Sequence, residues 1–269
     1  MKKTLLFALI LASGPHLLFA ELSPALMRDY EKIKVIYYDA RSKEKRAELT
    51  YEISKENKNA PVYVLKRSGK GSCDKFVDMS WDTLAEITEK DDRLCVLNSK
   101  CSAHDKDGTM LLGYEKIFDY AKGKIYWTQF DKNGKTAKKV TFPIKGITTD
   151  DVTMAFFLKS YVKHINEPGY NNFYLLTNEP KLYKVNFKLM GIETLDLPIG
   201  KKRALKIKTT ADMGIVDDIL DKYVPHTYFW YEDSPSLQWL QYQGLETSMN
   251  SAYIKALITE LQTSSPLSD

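Results

Sequence analysis

Ala47-Glu48-Leu49-Thr50-Tyr51-Glu52-Ile53-Ser54 alternates apolar and polar residues without a break. Successive side chains of a strand point to opposite faces, so this octet reads as a strand with one buried face and one wetted face. In a helix, Leu49, Tyr51 and Ile53 would be scattered around the circumference. The same period of two recurs along the chain. Val62 to Leu65 follows Pro61 as a short apolar strand. Ile125 to Phe130 runs into Asp131-Lys132-Asn133-Gly134, and a strand resumes toward Val140 and Phe142. Asn-Gly between two such runs predicts a hairpin, because both residues tolerate positive φ. Leu182, Tyr183, Val185, Phe187 and Leu189 stand mostly two apart, and Ala204 to Thr209 follows a Pro198-Ile199-Gly200 turn. Tyr228 to Tyr231 and Leu237 to Tyr242 form a last pair around Glu232-Asp233-Ser234-Pro235. About nine strands spaced by polar turns predict a mainly β protein, a curved antiparallel sheet or half-barrel.

Two segments break the period. Thr149-Asp150-Asp151 before the run Val152 to Leu158 predicts a helix start with acids in the first turn, ending near His164 ahead of Pro168-Gly169. The run is apolar nearly all round, which predicts a buried central helix. Ser251 to Gln262 predicts a C-terminal helix, with Ala252, Tyr253, Ala256, Leu257 and Leu261 along one side. The Ser/Pro-rich tail, residues 263–269, is expected to fray. No internal repeat or linker divides residues 21–262, which are expected to form a single β-rich domain.

The N-terminus carries an address. Lys2 and Lys3 precede the apolar run Leu5 to Ala12, then Ser13-Gly14-Pro15 and a second apolar patch ending Phe19-Ala20. Residues 1–20 therefore read as a secretory signal peptide cut after Ala20, which implies export to the periplasm. No later segment has membrane-spanning length. Without Lys2 and Lys3, 37 basic residues face 35 acidic ones, thoroughly interspersed, so no nucleic-acid partner is expected. Cys73, Cys95 and Cys101 lie close together. In an exported chain this predicts one disulfide and one leftover thiol, with Cys95–Cys101 or Cys73–Cys95 preferred. His104 follows Cys101 by three residues, but the paired short-spaced ligands of a structural zinc site are missing, and no metal or cofactor is expected.

Catalytic motifs are absent. Beyond the first twenty residues the histidines are His104, His164 and His226, and none belongs to a Gly-x-Ser-x-Gly elbow, a His-Glu-x-x-His helix or a phosphate loop. His164 suits a helix C-terminus. Asp105-Lys106-Asp107-Gly108 fails as a calcium loop, because Ala103 and Tyr114 would occupy its first and last positions. It reads as a turn. The pairs Asp150/Asp151 and Asp217/Asp218 read as structural. What remains is aromatic content, 17 Tyr, 11 Phe and 4 Trp, much of it on the predicted strands. Trp127, Tyr183, Phe187, Trp230 and Trp239 would line the inside of the sheet, either as core or as an apolar cavity for a lipid or acyl chain.

Several C-terminal stretches also resemble a known family. These are Lys184 to Phe187 through Gly191-Ile192-Glu193-Thr194, then Leu197-Pro198-Ile199-Gly200 and Ala204 to Ile207. Phe229 to Pro235, Leu240 to Gly244, and Asp150-Asp151 with the helix behind it belong to the same likeness. Over about residues 30–245 the chain resembles an uncharacterised family of exported bacterial cell-envelope proteins, a domain of unknown function. That family's curved sheet is similar to periplasmic lipoprotein-carrier (LolA/LolB-like) half-barrels. The resemblance implies no catalytic residue, and the stretch from Cys73 to His104 departs from it. The expectation is a non-catalytic periplasmic protein that binds a hydrophobic or envelope-derived ligand, such as a lipid or lipoprotein acyl chain, or that supports envelope maintenance. The alternatives are a hydrolase of envelope polymers with His104 or His226 as base, and a scaffold that binds an envelope protein through a sheet edge.

Overall fold

The computed structural model describes residues 27–56, 62–73, 76–90, 93–165, 167, 169–212, 226–246 and 251–264. The signal-peptide reading, the Asp217/Asp218 pair and most of the frayed tail lie outside them. The chain first lays down β1 (Tyr30–Asp39), β2 (Lys45–Lys55), β3 (Val62–Cys73), β4 (Phe76–Lys90), β5 (Arg93–His104), β6 (Met110–Asp119), β7 (Lys124–Phe130) and β8 (Thr136–Pro143). A short β9 (Thr148–Asp150) leads into α1 (Met154–Lys163). The return passes through β10 (Asn172–Leu176), β11 (Leu182–Leu197), β12 (Gly200–Ala211), β13 (Thr227–Glu232), β14 (Trp239–Leu245) and β15 (Tyr253–Thr263). Among the described residues, fifteen strands join one curved sheet in the order β8-β7-β6-β5-β4-β3-β2-β1-β15-β14-β13-β12-β11-β10-β9. Every pairing is antiparallel except β9 with β10.

This order is a meander whose first and last strands meet, β1 against β15, while its middle is cut between β8 and β9. The cut ends overlap instead of pairing. Leu176 of β10 packs with Val96, Phe118, Ile125 and Trp127, and Leu182, Val140 and Phe142 border the same cluster. The β9–β10 end therefore tucks against the inner face of β5 to β8, and side chains close the seam in place of a hydrogen-bonded ladder. The main core lies on the same inner face around α1. Phe156, Phe157, Leu158, Tyr161 and Val162 are all buried, with Phe157 5.3 Å from Tyr161 and 5.5 Å from Phe173, and Tyr51 5.9 Å from Phe156. The predicted buried helix is thus present. Its start differs, because Asp150 belongs to β9 and caps from outside by accepting the Thr153 N–H at 3.0 Å.

Residues 253–263 are a strand, where the sequence predicted a helix. Ile254, Ala256 and Ile258 are buried while Lys255 and Thr259 are not, a period of two set between β14 and β1. Ala252, Tyr253, Ala256 and Leu257 satisfy a helical spacing equally well, and tertiary pairing overrides the weak local preference. The nine expected strands undercount the described ones, because long hairpins such as β3–β4 carry polar residues on the outer face and Gly69 and Gly71 within β3.

The predicted disulfide does not form. Cys95 and Cys101 are six residues apart on β5, about 20 Å along an extended strand. Cys73 lies two strands away, opposite Phe76 on β4, at least about 10 Å across the sheet. A disulfide needs Cα atoms within about 7 Å. Reductant should accordingly leave the melting curve unchanged, and a denatured, unreduced sample should titrate all three thiols. A shift of the melt with reductant would contradict the register.

The Asn133-Gly134 hairpin is present, with only Gly134 at positive φ (+74°). The Asp131 carboxylate accepts the N–H groups of Asn133 and Lys135, each at 2.9 Å, and Asp105 repeats the arrangement with Asp107 and Thr109. At Gly71 the backbone needs φ +133°, and an added Cβ would lie 2.3 Å from the Arg46 carbonyl oxygen. Gly71→Ala should cost about 1–3 kcal/mol from the backbone conformation alone, read as a lower melting temperature. An unchanged melt would sink that assignment.

Candidate functional site

Register carries one row of side chains across the inner face from β2 to β6. Tyr51 is opposite Arg67, Arg67 opposite Thr83, Thr83 opposite Cys101, and Cys101 opposite Tyr114. On β2 to β4 the flanking inward residues, such as Leu49, Ile53, Leu65, Ala85 and Trp81, are apolar and buried, while on β5 and β6 Ser99 and Lys116 form the next rung. A polar rung thus crosses the inner face, between apolar residues on β2 to β4 and beside a second polar rung on β5 and β6. Arg67 Nη2 donates to Thr83 Oγ1 at 3.2 Å, while Arg67 Nε is buried and finds no acceptor among the described residues. Tyr37 of β1 joins the rung through its hydroxyl, 3.2 Å from that of Tyr51. Burial, reinforced by Tyr51, pushes the Tyr37 hydroxyl well above the ordinary phenol range. Tyr114 is raised as well, first by burial and then by Cys101 and Asp151.

The next rung holds the seam together. Ser99 of β5 is opposite Lys116 of β6, and Lys116 is 1% exposed. Its ammonium meets Asp151 directly and Asp150 at 3.5 Å, and donates to Asn178 at 3.2 Å. Ser99 donates to Asp150, whose other oxygen accepts Thr153 Oγ1–H at 2.6 Å. Asp150 is fully buried. Burial opposes the Lys116 charge, but Asp151 and Asp150 outweigh it and hold its pKa above the ordinary lysine value. This is a saturated ion cluster rather than a reactive group. The sequence reading of Asp150/Asp151 as structural fits that role, although the partner, Lys116, was not foreseen. A lysine inside a strand of alternating pattern was its only signal.

A second buried pair anchors α1. Lys159 lies 3.6 Å from Glu31, both side chains being 2% exposed, and Gln238 donates to Glu31 at 3.0 Å. Tyr231 donates its hydroxyl to the Ala155 carbonyl at 2.6 Å.

The five aromatic residues predicted to line the interior do not share one place. Phe187 packs edge-on to Tyr161 at 5.4 Å, and Trp239 lies 6.4 Å from Tyr51, so both face α1. Tyr183 is partly buried against the same core, and Trp127 is buried in the seam cluster beside Tyr114. Trp230 follows another course. It donates to Glu193 and lies 5.1 Å below the Lys206 ammonium, next along the strand from the helix-facing Tyr231. Two surface depressions, ≈ 530 and ≈ 420 Å³, are lined mostly by polar residues of β2 to β5, and none of the five aromatics lines either.

The histidines are dispersed. His104 pairs with Ser80 at the end of β5. His164 Nδ1 is 2.7 Å from the exposed Glu167 and its ring stacks on Tyr170. His226 lies 3.5 Å from Lys208. Among the described residues no group of three His, Cys, Asp or Glu is placed to hold a metal, and no helix is long and apolar enough to cross a membrane.

The sequence profile of a family described as "Protein of unknown function (DUF3108)" matches residues 115–255. This segment starts well after residue 30 and excludes the cysteine-bearing strands. No curated protein matches the chain. Among solved structures, a β-barrel-like protein of the domain of unknown function DUF1849 from Brucella abortus is similar in fold. Its TM-score is 0.53 and its identity 10%, covering 89% of this chain and 100% of its own. A protein with a YmcC-like fold from Bacteroides fragilis, provisionally described as exported, gives a TM-score of 0.34 at 10% identity, covering 88% of this chain and 97% of its own. A protein from Parabacteroides distasonis, provisionally described as a lipoprotein, gives 0.30 at 9%, covering 88% and 98%. None of the three descriptions names a lipoprotein carrier.

Proposed function

The chain belongs to the DUF3108 family, and on that premise we propose that it is an exported, non-catalytic protein of the periplasm that binds a hydrophobic, envelope-derived ligand on the inner face of its sheet. The observation that carries this reading is the inner face itself. A band of aromatic residues around α1, including Tyr51, Phe173, Phe187, Tyr231 and Trp239, adjoins a rung of hydroxyls and one guanidinium. An apolar surface with a few convergent polar groups is the usual composition of a small-molecule site. Export is supported by the basic and apolar pattern of residues 1–20.

In this reading α1 is the element that makes room. It is ten residues long, and its seat contains the buried Lys159–Glu31 pair. A buried ion pair stabilises less than apolar packing of the same volume, because desolvation offsets its attraction. A short helix held this way belongs to the less stable part of a fold, from which moving elements are drawn. Trp127, Tyr183, Phe187 and Trp239 would contact the ligand or its immediate neighbours; Trp230 would act from the other face by supporting β12 and β13.

Native mass spectrometry after gentle purification tests the proposal. The expected result is added mass from co-purifying amphiphile, or mass gained on exposure to membrane extract. A clean apo mass under both conditions would count against it.

A further inference from the structure

We propose that Arg67 anchors an oxyanion-binding site on the inner face, so that the ligand carries a carboxylate or phosphate head group. This deepens the ligand-binding reading and rests on it. The guanidinium is the charged member of the polar rung, and among the described residues no carboxylate forms an ion pair with it. Its Nη2 is shared with Thr83 Oγ1 at 3.2 Å, and its Nε–H is buried without an acceptor. Lys159 is paired with Glu31, while Lys116 faces both Asp150 and Asp151, so the surplus negative charge of that cluster acts on Arg67 from Asp151 without a direct ion pair. A guanidinium is charged at any pH the protein meets, and burying its Nε–H with neither an acceptor nor a carboxylate in direct contact is costly. An oxyanion with two in-plane oxygens would accept from Nε and Nη2 side-on, the geometry in which arginine recognises carboxylates and phosphates. Thr83 and the Tyr37–Tyr51 hydroxyl pair border that position and supply further donors. Tyr51 also touches Phe156 and Trp239, which places the head-group position next to the aromatic band where an alkyl chain would lie. Arg67 lies outside the segment 115–255 matched by the family, so the site would be a property of this chain's N-terminal strands.

Calorimetric titration with laurate, dodecyl phosphate, dodecanol and inorganic phosphate tests the assignment, using the wild type, Arg67→Met and Arg67→Lys. Laurate or dodecyl phosphate should bind the wild type about 10- to 100-fold more tightly than dodecanol, the worth of a charged hydrogen bond. Arg67→Met should bind laurate and dodecanol equally, and its binding of dodecanol would show that it is folded. Arg67→Lys keeps the charge without the paired donors and should recover only part of the preference. Which of the two anionic amphiphiles binds more tightly separates a carboxylate ligand from a phosphate one. Equal wild-type affinities for laurate and dodecanol would overturn the oxyanion site while leaving the hydrophobic-ligand reading intact. Inorganic phosphate bound by the wild type and lost in Arg67→Met, with no alkyl compound bound, would keep the site and overturn the hydrophobic reading. No binding of any of the four would overturn both.

Discussion

Lys116→Met should lower the melting temperature by about 6–20 °C, because removing one partner of a buried ion cluster costs about 3–5 kcal/mol in a chain of this size. Asp150, fully buried, would keep Ser99 and Thr153 as donors but lose its cation. The loss should not be uniform. Lys116 ties β6 to the β9–β10 end, so hydrogen exchange should accelerate first in β6 to β8, the strands beyond the seam. Adding Asp150→Asn should restore much of the lost stability, since contacting sites couple. The pH dependence follows from the raised pKa of Lys116. Its contribution is complete below the unfolded value of 10.5 and disappears as pH climbs through the higher folded value. The wild type should therefore lose its advantage over Lys116→Met in that alkaline range. A melting temperature within about 2 °C of the wild type, the equivalent of under 1 kcal/mol, would show that the seam does not depend on the cluster.

Phe157→Ala should have a comparable effect for a different reason. The side chain is 1% exposed, between Tyr161 at 5.3 Å and Phe173 at 5.5 Å, on a ten-residue helix that cannot stand alone in water. Emptying such a position costs about 3–5 kcal/mol, about 6–20 °C here. Phe157→Leu should cost well under half of that, since most of the volume is kept. Exchange should rise in α1 and in β10 and β11, with β2 to β4 unaffected. If α1 is the element that makes room for a ligand, Phe157→Ala should also bind laurate faster than the wild type. A stopped-flow trace with an unchanged association rate would separate the helix's packing role from any gating role.

The strands were readable where one face is buried and the other wetted. Ala47, Leu49, Tyr51 and Ile53 are all buried, as their alternation requires. The period fails as a guide where a strand is short, polar or flanked by partners on both sides. β8 is mostly exposed, with Lys138 and Lys139 on the last strand of the sheet order, and it was readable only through the Asn133-Gly134 turn and the pair Val140 and Phe142. Tyr253 to Thr263 satisfies both helical and strand spacing, and only its neighbours β14 and β1 decide. Cysteine proximity in sequence misled because six residues in a strand cover too great a distance for a disulfide. The polar rung was invisible for a general reason. Tyr51, Arg67, Thr83, Cys101 and Tyr114 come from five strands, and only register puts them in one row. Of the five aromatic residues singled out from the sequence, Trp127, Phe187, Trp230 and Trp239 are buried and Tyr183 packs partly buried against the main core. Trp230 meets Glu193 and Lys206, while Tyr231 beside it reaches α1.

An amphiphile received on the inner face, with its head group at the rung, is the central claim to test. Photolabelling with a diazirine-bearing fatty acid, followed by peptide mapping, addresses this directly. Labels are expected on α1 and on the helix-facing stretches around Phe187, Tyr231 and Trp239, competed by laurate and reduced in Arg67→Met. Labels confined to exposed apolar residues such as Val77, Met190 and Ile192, unaffected by laurate or by Arg67→Met, would contradict it.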